Sequence, residues 1–261
     1  MKIVVKIGGA ALEDKVVLAE CARAVVELAQ DGHRVVVVHG GGAALTRTLK
    51  LMGMQSSFVN GLRVTDAETR DVALMVLSGI VNKRLVAAIG ATGHPAFGFC
   101  GGDGFVFRAR KKTTLACDLG FVGEIVSAEP RWIEAIWEQA GIPVIASIAL
   151  GFDAEYYNVN ADQMAAACAV ACGTNALIFL TDVPGVKDAD GSVMQWIRLG
   201  QIPQLVRDSV IGGGMLPKLE ACEHALQHGV SRVRIVPAER AHLLPQFCSS
   251  KLECGTEVLV A

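Results

Sequence analysis

A surplus of positive charge is missing: 24 Lys and Arg stand against 26 Asp and Glu, a net charge of −2. Nucleic-acid-binding domains carry a clear basic excess, so a polyanion binder is excluded. Charge of either sign is scarce at 19%, while 52% of the 261 residues are hydrophobic. That supplies a continuous core for one large domain or two small ones. No uninterrupted apolar run of about 18 residues occurs, so no membrane span is expected. The closest candidate, 161–172, is too short and carries Asp162 and Gln163. The start, Met1-Lys2-Ile3-Val4-Val5-Lys6, is apolar too briefly before Gly8-Gly9 to be a secretory signal. A cytoplasmic protein is expected. Its eight cysteines, at 21, 100, 117, 168, 172, 222, 248 and 254, form no CxxC pair and read as reduced thiols. Cys168 and Cys172 lie four residues apart on a helical pattern, as do His224 and His228. The HExxH motif is absent, so the cysteines read as small buried side chains and the histidines as a helix surface.

What is present is alternation. Ile3–Ile7 reads as a buried strand, Leu18–Leu28 as a helix, Val35–Val38 as a second buried strand and Leu45–Met52 as a helix. Strands at Pro143–Ser147, Ala176–Leu180 and Val233–Val236 each follow a helical stretch, near Trp132–Gln139, from Asn160, and near Lys218–Gln227. This order predicts an α/β protein with a mostly parallel sheet. Asp103–Glu124 and Leu150–Asn160 alternate around turn residues and read as hairpins. No repeat or Pro/Ser-rich linker appears, so one domain of two lobes is expected, divided near Gly173-Thr174.

Ligands of open α/β sheets gather beyond the carboxyl ends of the strands. Lys6-Ile7-Gly8-Gly9 puts two glycines and a lysine after the first strand, either a plain turn or a phosphate cradle. His39-Gly40-Gly41-Gly42 runs into a helix, where bare amides suit an anion. Neither G-x-x-x-x-G-K-[ST] nor G-x-G-x-x-G occurs, which argues against a P-loop or a dinucleotide fold. In Asn158-Val159-Asn160-Ala161-Asp162, Asn160 is a plausible N-cap. Asp162 then either complements the helix dipole or orients nearby lysines. Gly212-Gly213-Gly214 precedes a helix with Lys218 in its first turn. A carboxylate, two lysines and several glycine loops suggest phosphoryl transfer, where catalysis is mostly positioning and charge neutralisation.

These segments, with Asn60-Gly61-Leu62-Arg63-Val64-Thr65, Thr181-Asp182-Val183-Pro184-Gly185-Val186 and Gly213-Gly214-Met215-Leu216-Pro217-Lys218, resemble the amino acid kinase family in order and spacing. The likeness runs from Lys6 to the C-terminus. It is greatest to members that phosphorylate the side-chain carboxylate of N-acetyl-L-glutamate in arginine biosynthesis. The resemblance implies a three-layer sandwich, the carbamate kinase-like fold, over a single domain, 1–261. Its N-lobe, about 1–173, would bind the acyl amino acid and dimerise; its C-lobe, about 174–261, would bind nucleotide. It further implies that Lys6 and Lys218 bind the transferring phosphoryl group while Asp162 holds both. Gly8 and Gly9 would cradle phosphates, and Gly41 and Gly42 the acyl-amino-acid side. Arg63 would grip the substrate α-carboxylate, helped by Asn158. Asp182, Val183, Pro184, Gly185, Val186 and Lys187 would line the nucleotide site with Val210, Ile211 and Gly212. ATP would be the co-substrate, with Mg²⁺ held mainly by its phosphates and no metal ligand from the protein.

The sequence opens directly on its first strand, similar to the shorter, dimeric, arginine-insensitive members, so a homodimer is expected and a PII signalling partner is not. Two rival readings are a kinase of lysine biosynthesis acting on a carrier-bound aminoadipate, and a silent sensor on the same fold. The first would use the basic cluster Arg108, Arg110, Lys111 and Lys112, which otherwise reads as a solvated hairpin face. The second is disfavoured by the presence of Lys6, Asp162 and Lys218.

Overall fold

Runs of β-branched residues, which pack well on a pleated surface buried on both faces, form the middle of the sheet. In the computed structural model, which describes residues 1–9, 11–59, 61–114, 117–247 and 254–260, the strands are β1 (Lys2–Ile7), β2 (Arg34–His39), β3 (Phe58–Val59), β4 (Leu62–Arg63), β5 (Ala96–Cys100), β6 (Phe107–Lys111), β7 (Val122–Ala128), β8 (Ile142–Ala146), β9 (Ile148–Gly151), β10 (Tyr156–Val159), β11 (Ala176–Thr181), β12 (Trp196–Arg198), β13 (Arg232–Pro237) and β14 (Thr256–Leu259). Eight of them make one sheet in the order β12-β14-β13-β11-β1-β2-β8-β5. Only the β13–β14 pair is antiparallel in it. β5, β8, β2 and β1 fall in residues 1–173 and the other four in 174–261, so the sheet runs without a break from one half of the chain to the other. β6, β7, β9 and β10 close a small barrel. The β6–β7 and β9–β10 pairs are antiparallel, as the turn-punctuated alternation predicted.

Helices α1 (Lys15–Gln30), α2 (Gly42–Leu51), α3 (Ala67–Ala73), α4 (Asn82–Gly90), α5 (Arg131–Glu138), α6 (Ala161–Ala171), α7 (Ile202–Arg207), α8 (Met215–Gln227) and α9 (Leu244–Phe247) complete the chain. Side chains alternate across a strand, and this splits β1 between two layers. Ile3, Val5 and Ile7 pack with α1 and the α3–α4 region. Val4 packs on the other face with α6 and α8, and Lys6 shares its parity.

Two sequence expectations need correction. α2 begins at Gly42 rather than near Leu45, because glycine serves as its cap and first residue. The closest membrane-length candidate is not 161–172. α3 and α4 are joined through a π-helical stretch, Leu74–Val81, into one helix, Ala67–Gly90, of 24 residues and mean hydropathy 1.7. Asn82, Lys83 and Arg84 interrupt its apolar run, which hid it from a search for unbroken segments. Its Val72, Val76, Leu77, Val81, Leu85 and Ile89 are buried in the core.

Candidate active site

The loops after β1, β2, β8 and β11 all open on one edge of the sheet, and they meet there because glycines let backbones approach. A side chain at Gly9 would lie 3.9 Å from the amide nitrogen of Gly42, and one at Gly40 would lie 3.3 Å from Ala161 Cβ. One at Gly8 would lie 3.0 Å from Leu180 O and 3.9 Å from Lys6 Nζ. Gly41 is the most constrained, with φ of 152° and Leu77 Cδ2 only 2.7 Å from any Cβ added there.

Three charged side chains converge beneath these loops. Lys6 leaves β1 on the α6–α8 face, and its Nζ forms an ion pair at 2.8 Å with Asp162 Oδ1. Lys218, in the first turn of α8, donates to Asp162 Oδ2 at 2.9 Å, with its ammonium 5.1 Å from the Phe179 ring centroid. Lys6, Asp162 and Lys218 are 8%, 7% and 6% exposed. Buried charge is costly unless paired, so a lysine–carboxylate–lysine triad is an expensive feature for packing alone. Burial raises the Asp162 carboxyl pKa, but the two lysine charges outweigh it and bring it down to about 2. Burial, and then the charge of Lys6, lower the pKa of Lys218.

Helix ends supply the complementary donors. Asn160 caps α6, its Oδ1 accepting from the amides of Asp162 at 2.9 Å and Gln163 at 3.2 Å. α2 and α8 start on Gly41 and Gly214 with no side-chain cap. The first α2 amides have no intrahelical partner and are open to an anion, whereas at α8 the Met215 amide already donates to Gly212 O at 3.2 Å.

Beside the triad lies a pocket of about 170 Å³ whose walls include Gly40, Gly41, Gly42, Arg63, Asn158, Ser147 and Leu77. Arg63, on β4, is buried and oriented by its donations to Ser56 Oγ (2.5 Å), Thr46 Oγ1 (2.7 Å) and Gly42 O (3.2 Å). Its guanidinium also stacks 4.6 Å from the Phe58 ring centroid. Burial lowers its pKa. Asn158 donates to Thr65 Oγ1 at 3.4 Å. All four sequence-selected residues of the acyl-amino-acid side thus line one cavity; Asn60 lies outside the described residues. Ser147, Leu77 and Phe58 line it as well, and no sequence pattern singled them out.

The nucleotide-side residues are more dispersed. Asp182 and Pro184 line a cavity of about 360 Å³ with Asp14, Thr181, Pro237 and Glu239. Val183 is half-buried and Lys187 exposed. Gly185 and Val186 turn inward: a Cβ on Gly185 would lie 2.7 Å from Thr256 Oγ1, and Val186 N donates to that oxygen at 2.8 Å. Val210, Ile211 and Gly212 are not among the walls of the Asp182 cavity. Val210 and Ile211 donate to Leu205 O, at 2.9 and 3.2 Å, which ties them to the C-terminal end of α7, ahead of α8.

The remaining sequence-selected features are structural. Arg110 pairs with Glu124, Lys111 with Asp118, and Arg108 donates to Gly151 O while stacking on Phe105 and Phe152. Three of the four cluster cations are therefore engaged by neighbouring groups, and Lys112 lines a separate cavity with Glu124 and Glu220. Cys168 and Cys172 are buried, and the Cys168 thiol pKa is pushed up by its hydrogen bond with Cys172 and by burial. The His224 and His228 rings stack at 4.3 Å on the surface of α8. Cys248 lies outside the described residues.

A model of the amino acid kinase family matches residues 1–237. The acetylglutamate kinase of Acidobacterium capsulatum is 65% identical over 261 residues, 100% of both chains. That of Koribacter versatilis is 58% identical over 259 residues, 99% of both. Among solved structures, a carbamate kinase from Giardia aligns with a TM-score of 0.69 at 15% identity, over 100% of this chain and 99% of its own, a likeness of fold. The shared sheet, the glycine loops at one edge of it and a family match reaching from β1 to the end of β13 lead to one conclusion: the chain belongs to the amino acid kinase family.

Proposed function

We propose that the chain transfers the γ-phosphoryl group of ATP to the side-chain carboxylate of N-acetyl-L-glutamate, in arginine biosynthesis. The observation that carries this reading is the buried Lys6–Asp162–Lys218 triad beside a pocket bearing a buried arginine. The two acetylglutamate kinases at 65% and 58% identity support the choice of substrate.

The acceptor is a carboxylate of pKa about 4.3, already ionised at neutral pH, so no general base is needed. One carboxylate oxygen attacks the γ-phosphorus, the bond from that phosphorus to the bridging oxygen breaks, and ADP leaves with the electron pair. The obstacle is repulsion between two anions. Lys6 and Lys218 offset it at the transferring group, where fixed charges act without reorganisation. Asp162 is a positioning residue. It stays ionised and holds both ammonium groups within 3 Å. Gly8 and Gly9 leave backbone room for phosphate oxygens, and the α2 amides at Gly41 and Gly42 face the acyl amino acid. Arg63 pairs with the α-carboxylate, a match its planar fork favours, and Asn158 binds the same molecule. The nucleotide lies along 182–187 and 210–212. Mg²⁺ travels mainly on its phosphates, since the Asp162 carboxylate is already occupied by two lysines.

In this reading residues 1–173 form the acyl-amino-acid lobe and 174–261 the nucleotide lobe, a division supported by the β1–β11 junction at mid-sheet. The enzyme works in the cytoplasm as a homodimer without a PII partner.

The test is ADP release with ATP and Mg²⁺, with the acyl phosphate trapped by hydroxylamine. N-acetylglutamate is run beside N-succinylglutamate, N-acetylaspartate and free glutamate. Selective hydroxamate formation from N-acetylglutamate is expected. Turnover of another acceptor in preference, or of none, would overturn the substrate assignment.

A further inference from the structure

His39 is fully buried at the end of β2, directly before the three glycines that line the pocket. Its Nδ1 lies 2.7 Å from Gly40 O, and its Nε2 lies 3.0 Å from Asn82 Nδ2. The amide of Asn82 is oriented from both ends. Nδ2 must donate to Val144 O at 3.0 Å, and Oδ1 must accept from Lys83 Nζ at 3.2 Å. A carbonyl only accepts and an ammonium only donates, so Asn82 presents N–H to the imidazole. Nε2 is therefore the acceptor, and Nδ1 carries the proton given to Gly40 O. The carboxamide has its place because β5 carries glycine opposite it: a Cβ at Gly98 would fall 2.0 Å from Asn82 Oδ1. Burial, against the hydrogen bond to Gly40 and with the charges of Lys6 and Lys83, lowers the His39 pKa to about 4, which keeps the ring neutral in this tautomer.

Three successive glycines lose more backbone entropy on ordering than any other residues, and α2 has no side-chain cap to hold its entrance. Amides that bind a developing charge act well only when their direction is set beforehand. We propose that His39, held by Asn82 as the Nδ1–H tautomer, is the positioning residue of the Gly40–Gly42 loop, fixing the Gly40 carbonyl and so directing the α2 amides into the pocket. The proposal rests on the kinase reading above and adds to it a residue that touches no substrate. A satisfied core histidine of no functional consequence is the competing account.

The two are separated by which nitrogen matters. Asn at this position can put its amide N–H where Nδ1 lies, whereas Gln reaches toward Nε2. His39→Leu should lower kcat for the acyl acceptor at least tenfold with the KM for ATP within twofold of wild type. His39→Asn should recover most of that loss and His39→Gln little of it, at matched urea stability. Equal activity in the Asn and Gln variants, or losses that track stability alone, overturns the proposal. ¹⁵N spectra of histidine-labelled wild-type protein give a reading independent of turnover and of any variant's folding: a neutral Nδ1–H ring at pH 7 is expected, and an Nε2–H ring overturns the assignment. Wild-type protein inactive on N-acetylglutamate but with an Nδ1–H ring would refute the substrate reading and leave the tautomer assignment standing.

Discussion

Replacing Asp162 by asparagine keeps shape and removes one charge, and the structure sets what should follow. The carboxyl pKa is brought from 3.8 to about 2 despite near-complete burial. At 1.36 kcal/mol per unit, the lysines therefore favour its ionised form by roughly 2 kcal/mol net. The substitution also leaves two buried ammonium groups facing each other without a counter-charge. Breaking a buried ion pair from one side costs about 3–5 kcal/mol. The expected loss is about 3 kcal/mol, or a fall in Tm of about 6–12 °C for a chain of this size. Urea unfolding at pH 7 measures it. The acid limb gives a second readout. The folded pKa lies below the unfolded one, so this contribution is complete above 3.8 and is lost as pH falls toward about 2; Asp162→Asn should lack that component. A triple variant, Lys6→Met with Asp162→Leu and Lys218→Met, should regain much of the stability, since apolar replacements of buried ion groups are often neutral or stabilising. It should have no turnover. Stability of Asp162→Asn within about 0.5 kcal/mol of wild type would refute the reasoning, because distant surface changes produce no more than that.

Other perturbations test single links. Lys218→Met should lower kcat by about 10²–10³, the scale of removing one transition-state donor, as read by steady-state hydroxamate formation. Arg63→Ala should raise KM for the acyl amino acid by about 10–100-fold, the scale of a lost charged hydrogen bond, with little change for ATP; an effect confined to ATP would mean that Arg63 is misassigned. Gly41→Ala should cost about 1–3 kcal/mol through overpacking against Leu77 and Val81, whereas Gly42→Ala, with nothing within 4 Å of the new methyl group, should stay within about 0.5 kcal/mol, both by urea unfolding. The lowered pKa of His39 means that the unfolded chain binds the proton more readily. Its contribution is complete above 6.5 and falls by roughly 3 kcal/mol as pH drops through about 4. A wild-type stability profile flat from pH 7 to 4 would contradict it.

Strand positions and hairpins were legible because their causes are local. Val35–Val38 and Ala176–Leu180 form strands wherever they are buried on both faces, and Asn160 caps its helix through bonds to residues two and three positions on. The helix Ala67–Gly90 escaped notice because its apolar stripe is broken by Asn82, Lys83 and Arg84, and its π-helical stretch departs from the 3.6-residue period that marks a helix in a sequence. Ser147 and Leu77 carry no motif; they belong to the pocket only through the strand order and the packing of Gly41 against Leu77.

Chain order sets which residue types stand after which strands: a lysine with two glycines after β1, a histidine with three after β2, a carboxylate and a lysine in the first turns of α6 and α8. Tertiary structure alone decided that these meet. The alternation of β1 sends Lys6 to the same face as α6 and α8, and the sheet order lays β1 beside β11. Only then do Lys6 and Lys218 share Asp162, whose partner on α8 is 56 residues away along the chain. The family resemblance implied this contact, but no local pattern along the chain encodes it, because the charge energy that makes it useful arises only once water has been excluded around it.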